Sequence, residues 1–371
     1  MKRVVIAIGT RPEAIKMAPV YLAMKVETQI DVQLVVTAQH RELLDQVLSR
    51  FKIVPDIDLD LMSPNQSLSE ISAKVIMEVQ KILSKLKPNA VLVHGDTSTC
   101  LFSALACFYE KILVGHVEAG LRTYNFQAPW PEEMNRRLVD PISRWCFAPT
   151  NQAAENLRAE RIPEENIFIT GNTVVDALLL TLKIVQRRKP AIPGLPERAL
   201  VNRRLILVTG HRRESFGKQL EGICLALSKI VRSHPDTVLV YSVHLNPNVQ
   251  EPVRRILGNQ ERIYLIEPVE YLPFVYLMDS SYLIITDSGG IQEEAPTLHK
   301  PVLVTRDTTE RPEAVEAGLA KLVGTLKEPI VREASNLLTD KHAYAKMSKG
   351  SNPFGDGNAS QRIVERLLAD I

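Results

Sequence analysis

The sequence predicts an α/β protein built as two doubly wound domains facing each other. Short apolar, β-branched runs alternate with longer helical patterns along the chain. One Pro/Gly-rich stretch interrupts the alternation, and unusual polar residues gather just after the apolar runs. Continuous apolar runs suit strands buried on both faces of a parallel sheet. Helical crossovers between them give the βαβ signature.

The first series of expected strands is Val4–Ile8, Val32–Thr37, Ala90–His94, Leu113–Val117, Trp145–Ala148 and Ile167–Thr170. The second is Leu205–Thr209, Val238–Ser242, Ile263–Ile266, Leu283–Thr286 and Val302–Thr305. Leu68–Leu86, Val174–Arg188 and Gln219–Arg232 read as helices. The stretch "KPAIPGLPERALVNRR" follows the helix that ends near Arg188, and its prolines and glycine read as a boundary. One domain is expected over 1–170 plus 355–371, the other over 171–354. The final helix lies in "NPFGDGNASQRIVERLLADI".

Composition narrows the function. Of 371 residues, 45% are hydrophobic and 24% charged, with a formal net charge of +2. That is a globular chain with a substantial core and no basic stripe for nucleic acid. The four cysteines, Cys100, Cys107, Cys146 and Cys224, show no metal-type spacing and read as thiols of a reducing compartment. The apolar start is too short for a signal peptide, and no stretch is long enough to span a bilayer. A cytoplasmic protein without a metal is the expectation.

In doubly wound sheets ligands bind beyond the carboxyl ends of strands, so the residues there matter most. The first strand ends in Gly9-Thr10-Arg11-Pro12-Glu13, an anion-binding layout at a helix start. Glu13 and Lys16 have a plainer reading as a helix-surface pair. Asp96 follows the third strand in "HGDTST", where an N-cap is the plainer reading. Glu118 follows the fourth in "GHVEAGLRT", and Glu132, Glu133 and Arg136 open a helix in "WPEEMNRR". Together Asp96, Glu118 and Glu132 form one carboxylate rim with arginines nearby, as general acid–base chemistry requires.

The second half offers a nucleotide holder. His211, Arg212 and Arg213 follow a strand in "GHRRES", and His244 follows another in "YSVHLNPNV". Phe274 gives a flat surface for a base, or a core contact of a short helix. In "TDSGGIQEEAP", Ser288-Gly289-Gly290 starts a helix whose free N–H groups suit a phosphate. Glu294 lies about 7–8 Å further along the axis, the offset from a diphosphate to a ribose. Asp287 reads as an ordinary acid at a helix start.

These motifs, with "GTRPEAIKMAP", "TAQHRELLDQVL", "ITGNTVVDAL", "RDTTERPEA" and "NPFGDGNAS", closely resemble the non-hydrolysing bacterial UDP-N-acetylglucosamine 2-epimerases, in order and over nearly the whole chain. The resemblance implies a glycosyltransferase-B-like fold with a cleft, a last helix crossing back to the first domain, and a homodimer. It implies interconversion of UDP-GlcNAc and UDP-ManNAc toward cell-surface polysaccharides. Catalytic carboxylates map to Asp96, Glu118 and Glu132, with His211 and Arg11 at the departing diphosphate. Substrate contacts map to Arg11, Lys16, Arg136, Phe274, Ser288, Gly289, Gly290, Glu294 and Arg311. A second UDP-GlcNAc, acting as effector, maps to Gln39, His40, Arg212 and His244, although Asn65 stands where some members carry arginine.

The C2 proton of the sugar has no adjacent carbonyl, so direct proton exchange is unfavourable. A keto-sugar route calls for a nicotinamide, and no fingerprint for one is present, so no cofactor is expected. Elimination of UDP to a 2-acetamidoglucal, then re-addition, remains. A hydrolysing relative, a glycosyltransferase and a silent sugar-nucleotide sensor are the competing readings. The three intact carboxylates favour the epimerase over the last two.

Overall fold

The computed structural model describes residues 1–37, 41–61, 66–212 and 215–371. Two compact units emerge: Met1–Leu179 with Phe354–Ile371, and Leu180–Pro353.

Among the described residues, unit 1 holds seven parallel strands: β1 (Lys2–Ile8), β2 (Ile30–Val36), β3 (Ile57–Asp58), β4 (Ala90–His94), β5 (Leu113–Val117), β6 (Trp145–Ala148) and β7 (Ile167–Ile169). Their order is β3-β2-β1-β4-β5-β6-β7. The order reverses between β1 and β4, which pair through Val4–Ala90 and Ile6–Leu92. The alternate faces of β1 explain its unbroken apolar run. Val4, Ile6 and Ile8 pack on one core with Met17 and Met24, while Val5 and Ala7 pack on the other with Val75 and Val79. The terminal helix Ala359–Asp370 belongs here, because Ile363, Val364 and Leu367 enter the first of those cores. Trp145 Nε1 donates to Asp370 at 2.6 Å and ties its end to β6.

Among the described residues, unit 2 holds six parallel strands: β8 (Arg204–Gly210), β9 (Thr237–Val243), β10 (Ile263–Ile266), β11 (Ser281–Thr286), β12 (Val302–Val304) and β13 (Ala320–Leu322). Their order is β10-β9-β8-β11-β12-β13, with the switch between β8 and β11. Both units therefore share one winding rule, with helices between successive strands.

The units part inside the helix Thr173–Arg187, beyond the expected break at 170/171. The cause is local. Asn172 N–H donates to Phe354 O at 2.7 Å, and Asp176 accepts from the N–H of Ser360 at 2.8 Å. The start of that helix is thus bonded to the returning C-terminal segment. Strands β3 and β13 were not expected from sequence; they are edge strands of two and three residues, and Asp58 and Lys321 leave them no apolar run. Among the described residues no helix is long and apolar enough to cross a membrane.

Candidate functional site

At the switch point of unit 1, the turn after β1 is organised by Glu13. This residue is 1% exposed and points inward, so it forms no surface pair with Lys16. Glu13 Oε2 accepts from Gly9 N–H at 3.0 Å and Thr10 N–H at 2.7 Å; Oε1 accepts from Thr97 Oγ1 at 2.7 Å. One carboxylate thus joins the loops after β1 and β4. Burial pushes its pKa up, and the hydroxyl and backbone donors oppose that. Gly9 is required by packing, since a Cβ there would lie 2.3 Å from Thr99 Oγ1 and 2.4 Å from Thr37 Oγ1. Arg11 stands exposed at the helix start.

Asp96 is not the N-cap of the following helix. Thr97 takes that role, its side chain accepting from Cys100 N–H. Asp96 instead meets Arg136, Oδ2 to Nη2 at 2.8 Å. Its backbone carbonyl accepts from Asn135 Nδ2 at 2.8 Å. Burial raises the Asp96 pKa, Arg136 opposes that, and Glu118 adds to the rise. Glu132 lies half-buried in the first turn of the helix Glu132–Val139, one turn before Arg136 and so on the same face. Its neighbour Glu133 turns inward and accepts from Thr123 and Tyr124 N–H at 3.0 and 2.9 Å.

Glu118 follows β5, the neighbour of β4. Its φ of +69° is a left-handed value for a residue with a bulky side chain. Such conformations cost about 1–3 kcal/mol and concentrate at functional sites. Lys16 Nζ donates to Glu118 Oε2, as does Asn172 Nδ2 at 2.8 Å. His94 Nε2 stands 3.9 Å from the same oxygen. Burial depresses the His94 pKa to about 3, so its ring is neutral near pH 7. Lys16 therefore supplies the positive charge beside Glu118.

Sequence reasoning missed the support under this rim. His116 is fully buried in β5; its Nε2 meets Gly95 O at 2.7 Å and its Nδ1 meets Asp140 Oδ1 at 2.6 Å. Burial alone would raise Asp140, but His116 and Arg122 hold it below the ordinary carboxylate range. A histidine inside an otherwise apolar strand was the available signal.

In unit 2, Asp287 is far from an ordinary helix-start acid. It is 2% exposed, and its Oδ2 accepts from the N–H groups of His211 and Arg212, both at 2.8 Å. Asp287 Oδ1 lies 3.1 Å from His211 Nδ1. Burial opposes ionisation, but His211 and the two backbone donors hold Asp287 below its usual pKa. The carboxylate fixes the turn after β8 and orients the half-exposed His211 ring. That ring stacks on His244, with centroids 5.9 Å apart. Arg212 reaches toward Glu310 at 3.7 Å. Gln39, His40 and Asn65 lie outside the described residues, as does Arg213.

The glycine pair follows β11 on the adjacent strand. Among the described residues, a Cβ at Gly289 would meet nothing nearer than Arg311 Cζ at 3.9 Å, and one at Gly290 nothing nearer than Ser288 Oγ at 4.0 Å. Neither residue has positive φ. The fold therefore does not require glycine at either place. What their absence of side chains leaves is open approach to the backbone at a helix start, where the first N–H groups lack intrahelical acceptors. Of the two acids that follow, Glu293 is buried against Arg311 Nε. Glu294 is 7% exposed and accepts from Tyr271 Oη at 2.6 Å. Phe274, half-buried, stands three residues after Tyr271 on one helix.

These features define an α/β enzyme class of two doubly wound units, with polar clusters after the strand ends at each switch point. The family model described as UDP-N-acetylglucosamine 2-epimerase matches residues 22–368. A UDP-N-acetylglucosamine 2-epimerase of Yersinia pestis is 54% identical, over 98% of each chain. The crystal structure of UDP-GlcNAc 2-epimerase from Neisseria meningitidis bound to UDP-GlcNAc superposes with a TM-score of 0.88 at 49% identity, covering 100% of both chains. That of the Methanocaldococcus jannaschii UDP-GlcNAc 2-epimerase, in complex with UDP-GlcNAc and UDP, gives 0.77 at 36% identity, again covering 100% of both. The chain belongs to the UDP-N-acetylglucosamine 2-epimerase family.

Proposed function

We propose that this protein is a non-hydrolysing isomerase that interconverts UDP-GlcNAc and UDP-ManNAc. The observation that carries the reading is the pair Asp96 and Glu118. They follow neighbouring parallel strands in unlike settings, one beside Arg136 and one beside Lys16 and Asn172. Two carboxylates so placed suit the two proton transfers of an elimination and its reversal.

In the forward step a carboxylate takes the C2 proton, the C–H pair forms a C1–C2 double bond, and the C1–O pair leaves with UDP. In the return step a diphosphate oxygen adds to C1 and an acid delivers a proton to the other face of C2. Atoms and electrons balance without an external oxidant. Asp96, Glu118 and Glu132 are the acid–base groups. His211, held by Asp287, and Arg11 stabilise the departing diphosphate. Ser288, Gly289, Gly290 and Arg311 hold phosphate, Phe274 the base and Glu294 the ribose. Arg136 sets the charge beside Asp96, and Lys16 that beside Glu118. Arg212 and His244, with Gln39 and His40, are the candidate contacts of an effector UDP-GlcNAc.

The four buried thiols support a reducing, cytoplasmic setting. A homodimer is supported by the exposed apolar side chains Met77, Phe108 and Tyr109 on unit 1, and light scattering of the pure protein tests it. The reaction is tested by NMR of UDP-GlcNAc incubated with enzyme alone in deuterated water. UDP-ManNAc carrying deuterium at C2 is the expected product. Free ManNAc with UDP would replace this reading by the hydrolysing one, and absence of C2 deuterium in turned-over sugar would refute elimination.

A further inference from the structure

We infer that Tyr271 is a positioning residue for nucleotide recognition: its hydroxyl locks the Glu294 carboxylate in the orientation that selects a ribose diol. The inference rests on the reading of Glu294 as the ribose contact. Its own ground is the 2.6 Å hydrogen bond that Tyr271 Oη donates to Glu294 Oε1, a residue only 7% exposed.

A glutamate has three rotatable bonds, and a bidentate grip on two neighbouring hydroxyls demands one orientation of its plane. Fixing that plane before the ligand arrives removes an ordering cost from binding. A tyrosine suits the task. Its ring has few internal rotations, and its O–H donates while leaving the negative charge on the carboxylate. The helix Tyr271–Ser280 sets Tyr271 and Phe274 three residues apart, hence on one face. One helix face thus carries both the base platform and the clamp on Glu294. Ribose selection becomes a property of two elements, the helix after β10 and the helix after β11.

The experiment measures the affinities of UDP and 2′-deoxy-UDP by calorimetry for four proteins: the unaltered chain, Tyr271→Phe, Glu294→Ala and the double variant. Thermal unfolding confirms that each is folded. The unaltered chain should prefer UDP, and Glu294→Ala should abolish the preference. Tyr271→Phe should reduce it by about tenfold, the scale of one hydrogen bond to a charged group. In the double variant the loss of the tyrosine hydroxyl should change the preference no further, because it acts through Glu294. A full preference in Tyr271→Phe, with none in Glu294→Ala, would overturn the role of Tyr271 alone. Additional loss in the double variant would overturn it too. A preference that survives Glu294→Ala would overturn the ribose reading itself, and the inference with it.

Discussion

Replacing Gly290 by alanine separates what the fold needs from what the ligand needs. The new methyl would find its nearest neighbour, Ser288 Oγ, at 4.0 Å, an ordinary contact distance. Gly290 is the second residue of the helix Gly289–Glu294. Alanine in a helix is favoured over glycine by about 0.5–1 kcal/mol. The unliganded protein should therefore unfold at the same or a slightly higher temperature. Binding should move the opposite way. If diphosphate oxygens lie against this backbone, the methyl displaces them and weakens one charge-assisted hydrogen bond. Such a bond contributes about 1.5–3 kcal/mol, so UDP affinity should fall between roughly tenfold and a hundredfold. Differential scanning fluorimetry and calorimetry with UDP give the two numbers on one sample. Gly9→Ala is the contrast, because its methyl would overlap Thr99 and Thr37 at 2.3 and 2.4 Å and should destabilise the protein. UDP affinity unchanged in both Gly289→Ala and Gly290→Ala would refute the phosphate reading.

Asp96→Asn and Glu118→Gln should each slow turnover by about a hundredfold or more while UDP still binds; near-normal rates in both would remove them from acid–base work. Arg136→Gln takes away the positive charge that opposes the raised Asp96 pKa. The pH–rate limb belonging to Asp96 should move to higher pH, and a downward move would contradict the pairing. His94 is neutral in the fold down to about pH 3 but titrates near 6.5 when unfolded. Its contribution is intact above about 6.5 and is lost as pH falls from there toward 3, because the unfolded chain binds the extra proton. Equilibrium unfolding across that window should show the slope, and His94→Gln should flatten it.

The central strands were legible because their chemistry is local. Ala90–His94, Leu113–Val117 and Trp145–Ala148 fall where their apolar runs do, since strands covered on both faces need unbroken apolarity. The edges β7 and β10 were legible as apolar runs, but β3 and β13 were not, for Asp58 and Lys321 leave them no such run. The strand-end clusters were visible as polar breaks, so Asp96, Glu118, His211 and the glycine pair could be singled out. Which residues pair with them could not be read. Asp96 and Arg136 are 40 positions apart, His211 and Asp287 are 76 apart, and Lys16 and Glu118 are 102 apart.

By itself the sequence determined the winding of two parallel sheets, the positions just past their strands, and the family those positions resemble. Periodicity and turn chemistry act over a few residues, and both are written in the local order of side chains. The tertiary structure decided which charge meets which. It turned Glu13 from a surface acid into the tie between two loops, and it made Asp287 the support of His211. It also showed that Gly289 and Gly290 answer no demand of the packing. Those outcomes depend on register between strands distant in the chain, which only the assembled sheets fix.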